Sequence, residues 1–427
     1  MKKTTLYLII CCALLSCRKE EVVVINPPAA NVQITIDQVV NDSTLLLKWT
    51  PFSGDQFHKY LLTRVSTYMK DGRFGTYTEP IDSSTDRNHL SFKEEAMPYA
   101  SDVYYYLYVK DATGRVIKYM GAAFYRRPNT LVNGFVTDVI YNKQKQWVYI
   151  TEQKKISVVD CNSGRMIISK LFPVNIGYCY LGEWNGSSEL YVPTVDGWLQ
   201  ILDAVTLEYK DKIYVAGYAV TSVVAVKGKL FVGSSDMSVG YSNCIKAYDR
   251  ATKALTGRTG FWNNTRLVHL EQSDFEFIDI TLNLIPTSTG YYQFDESGKV
   301  VVAKEDSYHG DFSVNAGIVR SFPDGQKFIT SSSGTVFTKS LVFDRYIKQY
   351  GNYIDFAFNN DGSLIYAASG AEKKVDVITY PATTNVKKYE TSLYPYKIFR
   401  EGDVLFNVGR PVAGAQMNYL LVEKITL

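Results

Sequence analysis

Residues 178–215 read YCYLGEWNGSSELYVPTVDGWLQILDAVTLEYKDKIYV. The stretch reads strand, turn, strand, turn, strand, an Asp-x-x-Thr turn from Asp203 to Thr206, and a fourth strand. Residues from Phe135 to Asp160 repeat the layout without a gap, and Tyr218 opens a third copy that reaches Asp249 and Thr252. Later copies carry the hairpin pairs Asp324-Gly325 and Asp361-Gly362, and the last begins at Tyr394. The third strands are expected to end at Asp160, Asp203, Asp249, Asp295, Asp344, Thr379 and Glu423. These anchors are spaced on average about 44 residues apart, the length of a four-strand repeat. The side chains of Asp-x-x-Ser/Thr bond the backbone of a tight bend, so the anchors act as turn devices. A single four-stranded sheet cannot bury both faces. A closed ring of seven can, and it protects the strand edges.

These units resemble the seven- or eight-bladed propellers of the YVTN/NHL/quinoprotein-like class. The resemblance covers roughly 70% of the chain. It implies a seven-bladed β-propeller over 128–427, and it specifies fold rather than activity. No Gly-His…Trp-Asp pattern supports the WD40 alternative. The last unit lacks a fourth strand after Glu423, so the segment from about Ala122 to Val132 is expected to supply it and close the ring.

Residues 31–127 alternate short strands and turns, which predicts a β-sandwich and makes the whole chain all-β. Leu47-Lys48-Trp49-Thr50-Pro51, Tyr60 and the Tyr-rich run Tyr106–Val109 resemble the second, third and sixth strands of a fibronectin type III domain.

The N-terminus reads as an address. Lys2 and Lys3 precede an apolar run, Leu6 to Leu15, too short to span a bilayer. The run ends Leu14-Leu15-Ser16-Cys17, which resembles a bacterial lipobox. It implies a signal peptide, 1–16, and lipidation of Cys17, with plain secretion as the alternative. Cys17-Arg18-Lys19-Glu20-Glu21 is similar to the lipoprotein export signal of Bacteroidetes, which implies display on the outer face of the outer membrane. Residues 17–30 form a tether and linker stiffened by Pro27-Pro28.

Composition narrows the function. There are 46 basic and 43 acidic residues, for a formal charge of +3, so nothing favours a nucleic-acid partner. Four His leave little material for histidine chemistry. No nucleophile elbow, phosphate loop or metal-ligand spacing is present, so no cofactor and no metal are assigned. Cys161, Cys179 and Cys244 read as buried free thiols, with a Cys161–Cys179 bridge as the alternative.

Aromatic residues open most units: Phe135, Tyr178, Tyr218, Phe312, Tyr353 and Tyr394. Two readings stand for them: a stacking ring near one mouth of the central channel, or packing between blades. Trp184, Trp198 and Trp262 lie in or beside turns and are candidate ligand contacts, with Arg266, Arg320 and Arg410 as polar additions. Asp138, Asp311 and Asp355 lie within three residues of opening aromatics and are the candidate carboxylates of an enzyme; Tyr308-His309-Gly310-Asp311 is the one polar cluster with catalytic resemblance. The expectation is a surface-anchored, non-catalytic binding protein for a glycan or protein partner. The alternative is a propeller enzyme, either a polysaccharide lyase or hydrolase or a quinoprotein-like oxidoreductase.

Overall fold

The computed structural model describes residues 34–427 apart from positions 42, 71–72, 129–131, 134, 216–217, 236–242, 309 and 414–418. The signal peptide, Cys17 and the whole of the linker, 17–30, therefore lie outside the described residues. So does His309. Among the described residues the chain is all-β, with no helix.

It forms two compact units. The first comprises residues up to Ser66, Thr76–Pro98 and Asp102–Tyr125. The second comprises Thr67–Gly75, Tyr99–Ser101 and Arg126–Leu427.

The first unit has a three-stranded sheet (Ile34–Asn41, Thr44–Trp49, Ser91–Glu94) and a four-stranded one. In spatial order the second sheet runs Arg73–Ser84, Lys59–Lys70, Asp102–Lys110, Val116–Arg126. Alternation decides which residues face inward. Leu45, Leu47 and Trp49 from one sheet are buried, as are Tyr60, Leu62, Val103, Tyr105 and Leu107 from the other. Trp49 meets Tyr60 edge-on at 5.9 Å. Arg64 is buried between the Glu79 and Glu94 carboxylates, and Tyr105 donates to Glu94 at 2.5 Å.

The second unit contains seven four-stranded antiparallel sheets. Six use four strands consecutive in sequence. Their first strands are Val136–Asn142, Tyr180–Trp184, Val220–Val226, Thr265–His269, Val319–Ser321 and Tyr353–Phe358. The seventh begins with Tyr394–Glu401 and takes its fourth strand, Val132–Asn133, from the far side of the region, pairing Leu420 with Val132. The expected donor segment is thus shortened to its C-terminal end. Residues up to Arg126 are held by the first unit's sheet, where Met120, Ala123 and Tyr125 bury their side chains.

First strands of successive sheets touch. The bridge between Tyr178 and Ser222 is parallel, so the sheets run in one sense. Apolar side chains fill the gaps between sheets. Val139, Val148 and Ile150 of the first pack with Phe399, Val408 and Leu420 of the seventh.

The turns follow the predicted chemistry. Asp203 Oδ1 accepts the Val205 and Thr206 amides at 2.9 and 3.0 Å and the Thr206 hydroxyl at 3.2 Å. These bonds, that of the Thr206 amide foremost, hold its carboxyl below the usual range. Asp203→Ala is expected to cost about 1 kcal/mol, read as a fall in the urea midpoint at unchanged slope. Two anchors are corrected. The third strand of the seventh sheet, Tyr419–Thr426, runs past Glu423. The third strand of the fifth sheet ends at Thr338, and Asp344 lies within the fourth strand, Phe343–Tyr346. Thr338 performs the turn bond there, accepting the Val342 amide at 3.2 Å. Cys161, Cys179 and Cys244 are buried free thiols.

Candidate functional site

The first strands carry a repeated irregularity. The ladder slips by one residue just before Asp138, Ser222, Asp355 and Lys397. A bulge re-aims the next side chain. Here it turns polar groups inward from strands that are otherwise apolar, and all four are buried.

Three of these groups join two arginines in a chain of alternating charge. Arg266 Nη2 lies 2.5 Å from Asp138 Oδ2. Lys397 Nζ sits 4.0 Å from Asp138 and 3.7 Å from Asp355. Arg320 grips Asp355 with two bonds, Nε to Oδ1 at 3.0 Å and Nη2 to Oδ2 at 2.6 Å. The order is Arg266, Asp138, Lys397, Asp355, Arg320, drawn from the fourth, first, seventh, sixth and fifth sheets. Burial opposes ionisation of Asp355, but Arg320 and Lys397 outweigh it and hold the carboxyl below its usual range. Burial lowers Lys397 from the ordinary lysine value, against the pull of both aspartates. Its Nζ also donates to Gly317 O at 2.7 Å.

Beside this chain is a cavity of about 380 Å³, lined by Tyr141, Tyr178, Tyr180, Arg266, His269 and Arg320 among others. A second cavity, of about 400 Å³, shares Tyr141, Glu271, Arg320, Ser321 and Phe399 with the first. Both are bounded by first strands. Burial holds His269 neutral to lower pH than usual, and its Nε2 is 2.9 Å from Ser273 O.

The opening aromatics go separate ways. Tyr178 reaches the cavity, with the Arg266 guanidinium 4.3 Å over its ring. Phe312 stacks on Phe343 at 4.0 Å, and Tyr353 is buried with its hydroxyl 3.2 Å from Asp376; both are packing residues. Phe135 and Tyr218 are exposed. Tyr394 lies under Lys373 at 5.3 Å. They form no single ring.

The tryptophans are equally dispersed. Trp184 packs on the turn at Gly228, where a Cβ would lie 2.6 Å from the indole. Trp198 sits under Lys212 at 4.1 Å and beside Tyr214. Trp262 Nε1 donates to Glu305 at 2.5 Å. Arg410 covers Tyr396 at 4.6 Å. Asp311 is exposed and away from the charge chain. Among the described residues no cluster of His, Cys, Asp or Glu could hold a metal.

Lys397 was missed by sequence reasoning. The available signal was a charge among aromatic and apolar residues of a first strand, three residues after Tyr394.

The two ends of the sheets differ. A four-strand meander puts its second-to-third turn and its link to the next sheet at one end, and the other two turns at the opposite end. The first end exposes Phe135, Val195, Tyr218, Ile285, Tyr350 and Val412. Ile285 is 96% and Tyr350 90% accessible, so both rings of contact they could make are unfilled. Among the described residues the opposite end exposes Val205, Tyr209, Leu255 and Val342, none of them more than 52% accessible. It is built instead of the turns at Asp160, Asp203, Asp249, Asp295, Asp324 and Asp361.

Neither a known family profile nor a curated protein matches the sequence.

Proposed function

We propose that this chain is a lipoprotein anchored through Cys17 at the outer membrane, facing outward. In this reading residues 31–127 are a fibronectin type III-like sandwich, and the seven sheets close into a propeller that serves as a non-catalytic binding module. Closure is supported by Asp138, which bonds Arg266 of the fourth sheet and neighbours Lys397 of the seventh. Sheets so far apart in sequence can meet this way around a common centre. The borrowed strand Val132–Asn133 supports it as well.

The observation that carries the binding role is the exposed apolar rim at one end of the sheets. Large apolar side chains left exposed at one end of successive sheets are available to a partner, and the aromatic content fits a protein. The enzyme alternative loses its best carboxylates. A glycosidase needs one acid of raised pKa. Asp355 is shifted the other way, and Asp138 is engaged by Arg266.

The test is photo-crosslinking on intact cells. A crosslinking residue placed at Tyr350 or Ile285 is expected to yield a discrete adduct, and one at Asp361 or Asp295 none. Equal adducts from both ends, or none from the rim, would sink the binding reading. The anchor is checked separately: metabolic labelling with an alkyne fatty acid should mark the chain and vanish in Cys17→Ala.

A further inference from the structure

The two cavities between the first strands take no part in the proposed rim. Their lining runs from Asp138 and Arg266, at the charge chain, along the first strands to Lys143, Gln272, Pro323 and Asn360. Those four stand in first-to-second turns, so the cavities reach the end opposite the exposed apolar residues.

The charges on their walls single out two groups. Arg266 is committed to Asp138 and to Ala316 O. Lys143 faces Glu401 at 3.4 Å, while Arg400 bonds Asn360 and lies over the Tyr366 ring. Burial keeps His269 neutral. There remain Arg320 and Glu271, and both border both cavities.

Arg320 has one edge in use. Asp355 takes Nε and one Nη2 hydrogen, the Phe399 ring lies 4.9 Å from the guanidinium, and Nη1 bonds no atom among the described residues. A guanidinium held this way keeps its Nη1–Nη2 edge, whose two parallel N–H groups fit a carboxylate. Glu271 is exposed, and its carboxylate makes no bond among the described residues. Its backbone is nonetheless fixed. The Glu271 amide donates to Ser321 Oγ at 3.0 Å, and a Cβ on Gly325 would lie 2.0 Å from the Glu271 carbonyl oxygen. Ser321 is the chain neighbour of Arg320. Acid and base therefore border one space, and no ion pair joins them.

The rest of the wall is largely aromatic and aliphatic, including Tyr178, Tyr180, Leu181 and Val268. An apolar wall carrying a few fixed polar groups is the usual make-up of a small-molecule site. A plain anion would gain Arg320 but meet Glu271, and a plain cation the reverse. A ligand bearing both charges satisfies both. Volumes of about 380 and 400 Å³ hold a molecule the size of an aromatic amino acid.

We infer that these joined cavities bind a small zwitterion, a free α-amino acid with an aromatic or aliphatic side chain. Arg320 takes its carboxylate, Glu271 its ammonium group, and the tyrosine wall its side chain.

The experiment is isothermal titration calorimetry of the full chain in detergent with L-phenylalanine, L-tryptophan and L-leucine. Each is paired with its deaminated acid and its decarboxylated amine. Saturable binding of at least one amino acid is expected. Its acid and its amine should each bind at least about tenfold more weakly, since each loses one hydrogen-bonded charge. Arg320 is tested through the ligand in this way, because removing the side chain would strand Asp355. Glu271→Gln should weaken the amino acid by a similar factor without weakening the deaminated acid. Should that variant fail to fold, the analogue series on the unaltered chain decides alone. The inference is overturned if none of the three amino acids binds, or if an acid or amine binds as tightly as its parent. Unchanged affinity in Glu271→Gln overturns it as well. So does loss of binding in Tyr350→Ala, which would place the ligand at the apolar rim.

Discussion

Asp355→Ala lowers the stability of the second unit by about 3–5 kcal/mol, the expected cost of removing one partner from a buried charge pair. Asp355 has no exposed surface. Its oxygens accept two bonds from Arg320 and the Ile398 amide at 2.9 Å, with Lys397 at 3.7 Å. Removing it leaves a guanidinium, a nearby ammonium and an amide without their acceptor. The loss concerns sheets five, six and seven together, because the fifth and seventh supply the donors and the sixth the acceptor. The measurement is urea unfolding by intrinsic fluorescence. Asp361→Ala, in an exposed turn, should change stability by about 1 kcal/mol at most. A loss at Asp355 no greater than that at Asp361 would show that the charge chain holds nothing together.

Asp279→Asn acts in the opposite direction and depends on pH. Asp279 is buried, accepts the Gly290 amide at 2.7 Å and the Tyr292 hydroxyl at 3.3 Å, and has no ion pair among the described residues. Burial pushes its carboxyl from 3.8 up to about 7. The sign follows from linkage. Below pH ~4 both folded and unfolded states hold the proton, and the acid costs nothing. As pH rises the unfolded chain releases its proton first, so stability falls until the folded carboxyl ionises near pH 7. The total loss is about 4 kcal/mol at roughly 1.4 kcal/mol per unit. Asn cannot ionise, so the variant should match the wild type at pH 4 and exceed it at pH 8. Parallel stability–pH curves for the two proteins would refute the assignment.

Both effects concern charged groups in the interior, and neither was legible in the chain. The turns were. Asp203, Asp160 and Asp249 were read as turn devices from their spacing to Ser or Thr, and each accepts the amides and hydroxyl that role requires. Asp344 shows where that reading fails. The sequence around it contains an acid near the right spacing, but the strand ends at Thr338, and a threonine hydroxyl serves the bend equally well. The opening aromatics show a second limit. Tyr178 and Phe312 occupy equivalent places in the repeat, yet one lies under Arg266 at the cavity and the other against Phe343. An aromatic at a strand head satisfies either environment, and the neighbouring sheet selects between them.

The all-β character, the four-strand repeat and the need for a borrowed strand at the end were legible in the chain. These depend on alternation and turn chemistry, which act over a few residues. Which charges meet was set by how the sheets pack. Asp138 and Arg266 are 128 positions apart and become a 2.5 Å pair because a bulge aims one of them and packing excludes water between them. A buried charge takes its state from its spatial neighbours, and no local pattern in the chain records who they are.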